Sequence, residues 1–415
     1  MSYILFSSKL KPNGVVRING RMRLFLALVC GVAVASVYAG QPVLGQMGRE
    51  FGVPVDAVGW FVAAGQLGYL LGLIFLVPLG DLFDRRRLIA LHLALVAAGL
   101  VVVAVAPSAW VAFAGLAAAG LFAVVVQTVV AYAAALSAPS ERGRNLGIVT
   151  SGVVIGILGA RILAGFLADL WGWRSIYIVL AVLAATLALL VPISLPSDVR
   201  SGASKYGLLL RSFADLFTRP VFLSRGLIAF FLFASFGALW SGMALPLAGA
   251  PWHLSETLIG LFGIAGLTGA LGAARAGRWA DAGHSTRVTG MALIVLLASW
   301  LAIGQLPWSL VLLILGVILL DFAVQAVHVG NQHILTTVYA DRVSTTIGAY
   351  MVFYSLGSAL GAAATAVVYA TAGWLGSALL GAAFAVGALV TVALSWRTTK
   401  RATHPDYLRK TSLSQ

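Results

Sequence analysis

Long apolar runs broken by short polar turns set the pattern of this chain. Twelve of them fall near residues 24–43, 57–79, 88–106, 109–135, 146–168, 174–193, 222–248, 256–276, 288–305, 308–331, 345–370 and 374–396. A helix needs about 20 apolar residues to cross a bilayer, and the runs are of that order. They lack the two-residue alternation of a strand and exceed the length of a barrel strand. Each therefore predicts a transmembrane helix, which satisfies its backbone groups within the segment. The expected fold class is an all-α membrane protein of twelve transmembrane helices in two pseudo-symmetric six-helix halves.

The longest polar interruption, from Ser194 to Pro220, carries Arg200, Lys205, Arg211, Asp215 and Arg219 and leaves six runs on either side. It sets the expected divisions: a tail over 1–23, a six-helix half over 24–193, a linker over 194–221, a second half over 222–396 and a basic tail over 397–415. Two internal matches support a duplicated unit. Gly80-x-x-x-Asp84 returns as Gly277-x-x-x-Asp281 at an offset of 197, and Gln127 in the fourth run returns as Gln325 in the tenth at an offset of 198. Small residues recur at helix-contact spacing, as in Gly68-x-x-x-Gly72, Gly152-x-x-x-Gly156 and Gly357-x-x-x-Gly361. Such pairs allow the close packing that holds helices together where lipid offers no hydrophobic drive.

A chain that is 60% hydrophobic and 10% charged, with a mean hydropathy of +0.99, is too apolar for a soluble protein of this length. The net charge of +14 raises nucleic acid as a partner, but the basic residues alternate between loops instead of forming one stripe. Topology explains them better. Only Arg49 and Arg174 fall in odd-numbered loops, and Arg161 is read as the only basic residue well inside a span. The rest are assigned to the tails and even-numbered loops, which puts both termini in the cytoplasm. The basic start before the first run imitates a signal peptide with a cleavage point near Tyr38-Ala39; an even span count with both ends inside accounts for it instead. The single cysteine, Cys30, lies within the first run, so neither an internal disulfide nor a metal cluster is expected. No nucleotide-binding glycine loop with a Lys and no His/Glu metal spacing points to an enzyme or a cofactor.

The candidate chemistry is confined to a few polar positions. Between the second and third runs, Gly80 permits close approach of helix ends, Asp84 can meet a helix N-terminus or an Arg, and Arg85 opens a basic run. With Gly277 and Asp281 they form a candidate conformational latch. Asp321 is the only carboxylate near the middle of any run, where a charge costs several kcal/mol unless paired or solvated. It is either a protonation site or a fixed polar contact. At about 100° per residue, Asp321, Gln325, His328 and Gln332 share an arc of about 60° on the tenth helix, which must face protein or water. His328 is a candidate proton relay or a hydrogen-bonded structural residue, and Asn331 at the edge of the arc is a candidate backbone partner. Arg161 keeps its charge and needs an anion or carbonyls: Asp321, a bound anion and backbone oxygens are the alternatives. Gln127, Tyr38, Gln41, Gln325, Tyr350 and Tyr354 are candidates to line a substrate path, with membrane-interface anchoring the competing reading for Tyr38. Trp240, Trp252 and Trp308 lie towards run ends and read as interface anchors.

Taken together, these strings resemble the major facilitator superfamily from about Arg21 to Trp396. Gly80, Asp84 and Arg85 match the family's loop signature, although its later Gly is missing. The family's Arg in the fourth span has no counterpart between Trp110 and Gly120. The fifth span is similar to the antiporter signature in spacing: Gly147, Gly156, then Ala160-Arg161 where Gly-Pro stands, then Ala164-Gly165. Tyr38-Ala39-Gly40-Gln41-Pro42, Glu141-Arg142-Gly143-Arg144 and Gly172-Trp173-Arg174 resemble a bacterial drug-efflux subgroup.

The resemblance implies a secondary transporter of the bacterial inner membrane working by alternating access, without a cofactor. It implies proton-coupled efflux of a small apolar or amphipathic compound, with a symporter or exporter of an organic anion or sugar-like metabolite as the alternative. The proton-coupling set is then Asp321, Arg161 and His328. The partners expected are a small-molecule substrate, protons and the bilayer, with no nucleic acid and a monomeric chain. A non-transporting sensor or scaffold is a distant third reading.

Overall fold

The computed structural model describes residues 18–138, 141–197, 206–279, 285–339 and 342–402. The helices up to the linker are α1 (Gly20–Tyr38), α2 (Leu44–Phe51), α3 (Gly59–Phe75), α4 (Arg85–Ala104), α5 (Ala109–Ala123), α6 (Val125–Leu136), α7 (Arg142–Trp171) and α8 (Arg174–Ser194). They are followed by α9 (Tyr206–Leu216), α10 (Pro220–Gly242), α11 (Ala244–Ala248), α12 (Glu256–Trp279), α13 (Ser285–Ile303), α14 (Leu310–Val338) and α15 (Val343–Ala402).

Among the described residues, nine helical stretches are long and apolar enough to cross a membrane. One of these, Thr345–Ser395, turns at Gly373, whose φ of 62° and ψ of −162° no helix adopts, and so counts as two spans. The shorter apolar helices Glu256–Leu271 and Val288–Ile303 bring the number to twelve. The chain is therefore an all-α membrane protein with the expected span count. Local chemistry sets the ends. Asn19 caps α1 through Met22 N (2.8 Å), Ser309 caps α14 through Leu312 N (3.3 Å), and Pro220 occupies the first turn of α10, where its missing N–H costs nothing.

The chain forms two compact units. Unit 1 holds Met1–Val53, Ala64–Leu209 and Ser255–Gly260; unit 2 holds Pro54–Ala63, Leu210–Leu254 and Leu261–Gln415. The first turn of α12 thus belongs to unit 1, where the Asp169 carboxylate accepts from Glu256 N (3.1 Å) and Thr257 N (2.9 Å), satisfying two free donors of that helix end.

Inside unit 1, α1 packs on α7, and α4 on α5 and α8; inside unit 2, α10 packs on α15, and α13 on α14 and α15. Counted as spans, the pairs are first–fifth, third–fourth and third–sixth, then seventh–eleventh, ninth–tenth and ninth–twelfth. The same pairing recurs in both. The spaced glycines sit at equivalent seams, with Gly152 and Gly156 against Ala27 and Gly31, and Gly357 and Gly361 against Phe230 and Ala234. A Cβ on Gly152 would stand 2.6 Å from the Ala27 carbonyl carbon, and one on Gly361 2.9 Å from that of Ala234, closer than packed atoms approach.

The linker contains a helix that its polar composition conceals. α9 buries Phe213 and Leu216 and exposes Leu208 and Arg211, and beyond it Phe217 stacks on Phe353 at 5.6 Å. Asp215 accepts from Arg342 Nη1 (2.9 Å) and Arg219 Nη2 (3.1 Å), and these bonds, that from Arg342 first, hold its carboxyl below the usual range.

Candidate functional site

Three groups of polar side chains stand out, and the first is the loop before α4. Asp84 is the N-cap of α4, accepting from Arg86 N at 2.9 Å, and places its negative charge at the positive end of that helix. Arg85 is buried and fully engaged: Nε donates to Gly80 O (3.0 Å), Nη1 to Ala131 O (3.3 Å) and Nη2 to Asp81 Oδ1 (3.2 Å). It pins the loop to α6. Close approach is not what calls for glycine at position 80 within unit 1, since a Cβ there would meet Arg85 Nε and Thr128 Cγ2 at an ordinary 3.9 Å. Gly277 falls within α12, and Asp281 lies outside the described residues.

The second group surrounds Arg161, which is only 1% exposed in the middle of α7. Its Nε donates to Gln41 Oε1 at 2.9 Å, and its guanidinium carbon lies 5.7 Å from the centre of the Tyr38 ring. The string after α1 explains this placement. A Cβ on Gly40 would stand 2.8 Å from the Tyr177 hydroxyl, so glycine leaves room for that phenol beside the turn that carries Gln41 to the cation. Tyr38 is buried within the protein. The sequence reading sought a carboxylate or carbonyl for Arg161 and passed over the amide, yet an amide oxygen and a π face both suit a guanidinium. Gln127 belongs to a separate pair, donating to the Tyr69 hydroxyl at 3.2 Å.

The third group lies along α14. Asp321 is 2% exposed, and its Oδ2 accepts from Trp240 Nε1 at 3.2 Å. Trp240, expected as an interface anchor, is a buried residue that is only 2% exposed; Trp308, at 82% exposure, has the surface position expected for all three. Rings continue along α10 from the acid. Phe236 lies 6.3 Å from Trp240, Phe233 lies 6.0 Å from Phe236, and Phe233 in turn meets Tyr354 at 4.0 Å and His328 at 5.3 Å between centroids. Gln325 is half-buried on α14 between Asp321 and His328.

A polar cluster follows. His328 Nδ1 lies 3.1 Å from the Tyr350 hydroxyl, and Gln332 Nε2 lies 3.1 Å from His328 Nε2. Asn331 donates to Tyr350 Oη (3.5 Å) and to the Arg225 carbonyl (3.4 Å), and Arg225 Nη1 donates back to Asn331 Oδ1 (3.4 Å). Arg225 corrects the assignment of the remaining basic residues to tails and even-numbered loops: it is fully buried, a turn and a half into α10. The signal was its distance from Pro220, which starts the helix. Asn331 does bind backbone, as expected, and binds two side chains as well.

The Major Facilitator Superfamily model matches residues 24–248. The chain is 40% identical over 388 residues to the transporter YgaY of Escherichia coli O157:H7, covering 93% of this chain and 97% of that protein. Over 163 residues it is 33% identical to the multidrug resistance protein Stp of Mycobacterium tuberculosis (strain CDC 1551 / Oshkosh), covering 39% of this chain and 28% of that one. Its fold is similar to the crystal structure of a bacterial homolog of the human lysosomal transporter Spinster, with a TM-score of 0.74 at 15% identity over 91% of this chain and 96% of that one. Twelve spans, a duplicated helix pairing, few but deeply buried polar side chains and a family match over more than half its length agree: the chain is a multi-pass membrane transporter and belongs to the Major Facilitator Superfamily.

Proposed function

We propose that this transporter exports a small apolar or amphipathic compound in exchange for protons, by alternating access across the bacterial inner membrane, with both termini in the cytoplasm. The observation that carries the reading is Asp321, the only carboxylate among the buried residues described, held by an indole N–H beside a row of aromatic rings. A carboxyl group in such surroundings exchanges a proton at an energy that depends on what else occupies the site, which is the requirement for coupling. The aromatic row suits an apolar substrate. The antiporter-like glycine spacing of α7 and the partial likeness to Stp support the outward direction.

Arg161 and Arg225, two of the three buried arginines described, favour a second reading in which the cargo is an organic anion or a sugar-like metabolite. The test begins with a thermal-shift screen of the purified protein against drugs, sugars and organic acids, followed by proton-flux measurements in vesicles with each hit. On the first reading an amphipathic hit drives proton counterflow. Asp321→Asn then abolishes gradient-driven accumulation while leaving exchange without a gradient, since Asn mimics the protonated acid. Gradient-driven transport at wild-type rate by Asp321→Asn would overturn the coupling role. Hits confined to anions that drive no counterflow would establish the second reading.

A further inference from the structure

The cluster around His328 admits two hydrogen-bond arrangements on the same heavy atoms, and one side chain selects between them. Asn331 is the fixed end. Its Oδ1 accepts from Arg225 Nη1 and its Nδ2 donates to the Arg225 carbonyl, so its amide cannot turn without losing both, and Nδ2 donates to Tyr350 Oη as well. Gln332 is the free end. Its Nε2 faces His328 Nε2 at 3.1 Å, and an amide nitrogen only donates. The ring nitrogen it faces must therefore be the acceptor, which leaves the ring proton on Nδ1, donating to Tyr350 Oη across 3.1 Å. Were the Gln332 amide turned by a half-rotation, its oxygen would face Nε2. The proton would then sit on Nε2, and the Tyr350 hydroxyl would donate to Nδ1.

From this geometry we propose that Gln332 is a positioning residue that decides which nitrogen of His328 carries the proton, and that a half-turn of its amide exchanges the two forms. In the exchange one proton is taken from water at Nε2 and one is given to water from Nδ1, so the ring passes a single proton and its charge is unchanged. With Nε2 as acceptor and the proton on Nδ1, the ring is neutral in this arrangement. Arg225 on α10 contributes a fixed positive charge, Tyr350 and Tyr354 on α15 are uncharged phenols, and α13 carries no titratable side chain from Val288 to Ile303. The nearest acid on α14 is Asp321, seven residues and about 10 Å of helix rise away. The bearing of this switch on transport rests on the proton-coupled reading above; the position of the proton does not.

The decisive measurement is nitrogen NMR of the full-length protein, labelled at histidine with 15N and reconstituted in lipid vesicles, with His328 identified by the signals lost in His328→Gln. Wild type is expected to show a neutral ring protonated at Nδ1. Gln332→Glu, which offers only acceptor oxygens, is expected to move the proton to Nε2 or to give the doubly protonated ring. Gln332→Leu, which offers neither donor nor acceptor, is expected to leave a mixture of both neutral forms. A wild-type ring protonated at Nε2, or the same ring state in all three proteins, overturns the proposal. In transport, Gln332→Glu is expected to raise the pH of half-maximal proton-coupled flux by about one unit, and not to do so in a His328→Gln background. If the NMR signals change and the flux profile does not, the positioning role stands and the part given to His328 in coupling fails.

Discussion

Alanine at Gly361 tests whether the seam between α10 and α15 is as tight as the structure draws it. A Cβ there would overlap the Ala234 carbonyl oxygen and stand 2.9 Å from both the Ala234 carbonyl carbon and the Ala238 nitrogen, against the 3.4–4 Å of ordinary contact. The atoms it meets are backbone, so no rotamer change relieves it, and the two helices must part locally by roughly 1 Å. A gap of that size forfeits about a quarter to a half of each dispersion contact across the seam. Overpacking of this kind costs about 1–3 kcal/mol, offset by up to about 1 kcal/mol because alanine favours the helix over glycine. The expected net loss is about 1–2 kcal/mol, and Gly361→Val should lose more. Gly159→Ala on α7 is the control, because a Cβ there meets nothing within 4 Å and should be neutral or slightly stabilising. Tryptophan-detected melting of the purified proteins in detergent gives the comparison. Equal melting of Gly361→Ala and Gly159→Ala would refute the reasoning, since both carry the same propensity change and only one should carry the clash.

Three further outcomes follow from the polar groups. Gln41→Leu removes a hydrogen bond to a buried cation, worth about 1.5–3 kcal/mol, and should lower the melting temperature more than Gln127→Leu, which removes the neutral bond to Tyr69; the reverse order would show that Arg161 is held by other contacts. Asp84→Asn keeps a good N-cap and should leave expression and melting nearly unchanged while transport falls, whereas undiminished transport would reduce Asp84 to capping alone. For Asp215 the folded-state carboxyl lies below its unfolded value, so its stabilisation is present above about pH 4 and is lost as pH falls through the folded value. The melting gap between wild type and Asp215→Asn should therefore be constant near neutrality and close in acid; a gap that persists at low pH would contradict the ion-pair account.

How much of this was legible in the sequence depends on how local each cause is. The spans were legible because a bilayer leaves the backbone one solution per segment, and the glycine pairs because each keeps its own periodicity, so Gly152-x-x-x-Gly156 and Gly357-x-x-x-Gly361 both mark real seams. The linker helix α9 was not, since 11 residues among polar neighbours fall short of any membrane pattern. Trp240 and Arg225 failed for a different reason. Distance from a run end predicts how deep a side chain lies but not what it faces, and their partners Asp321 and Asn331 are 81 and 106 residues away. Periodicity placed Asp321, His328 and Gln332 on one stripe of α14 correctly, yet a stripe has no partners until other helices are laid against it. The chemistry of the stripe comes from those helices: an indole from α10 at the acid, a phenol from α15 at the imidazole, and a guanidinium that fixes one amide while leaving the next free to turn. What sequence reasoning lacks here is therefore the pairing of helices and not the identity of the polar groups. Because the partners of both Asp321 and Asn331 come from α10, a covarying position for either is most profitably sought on that helix.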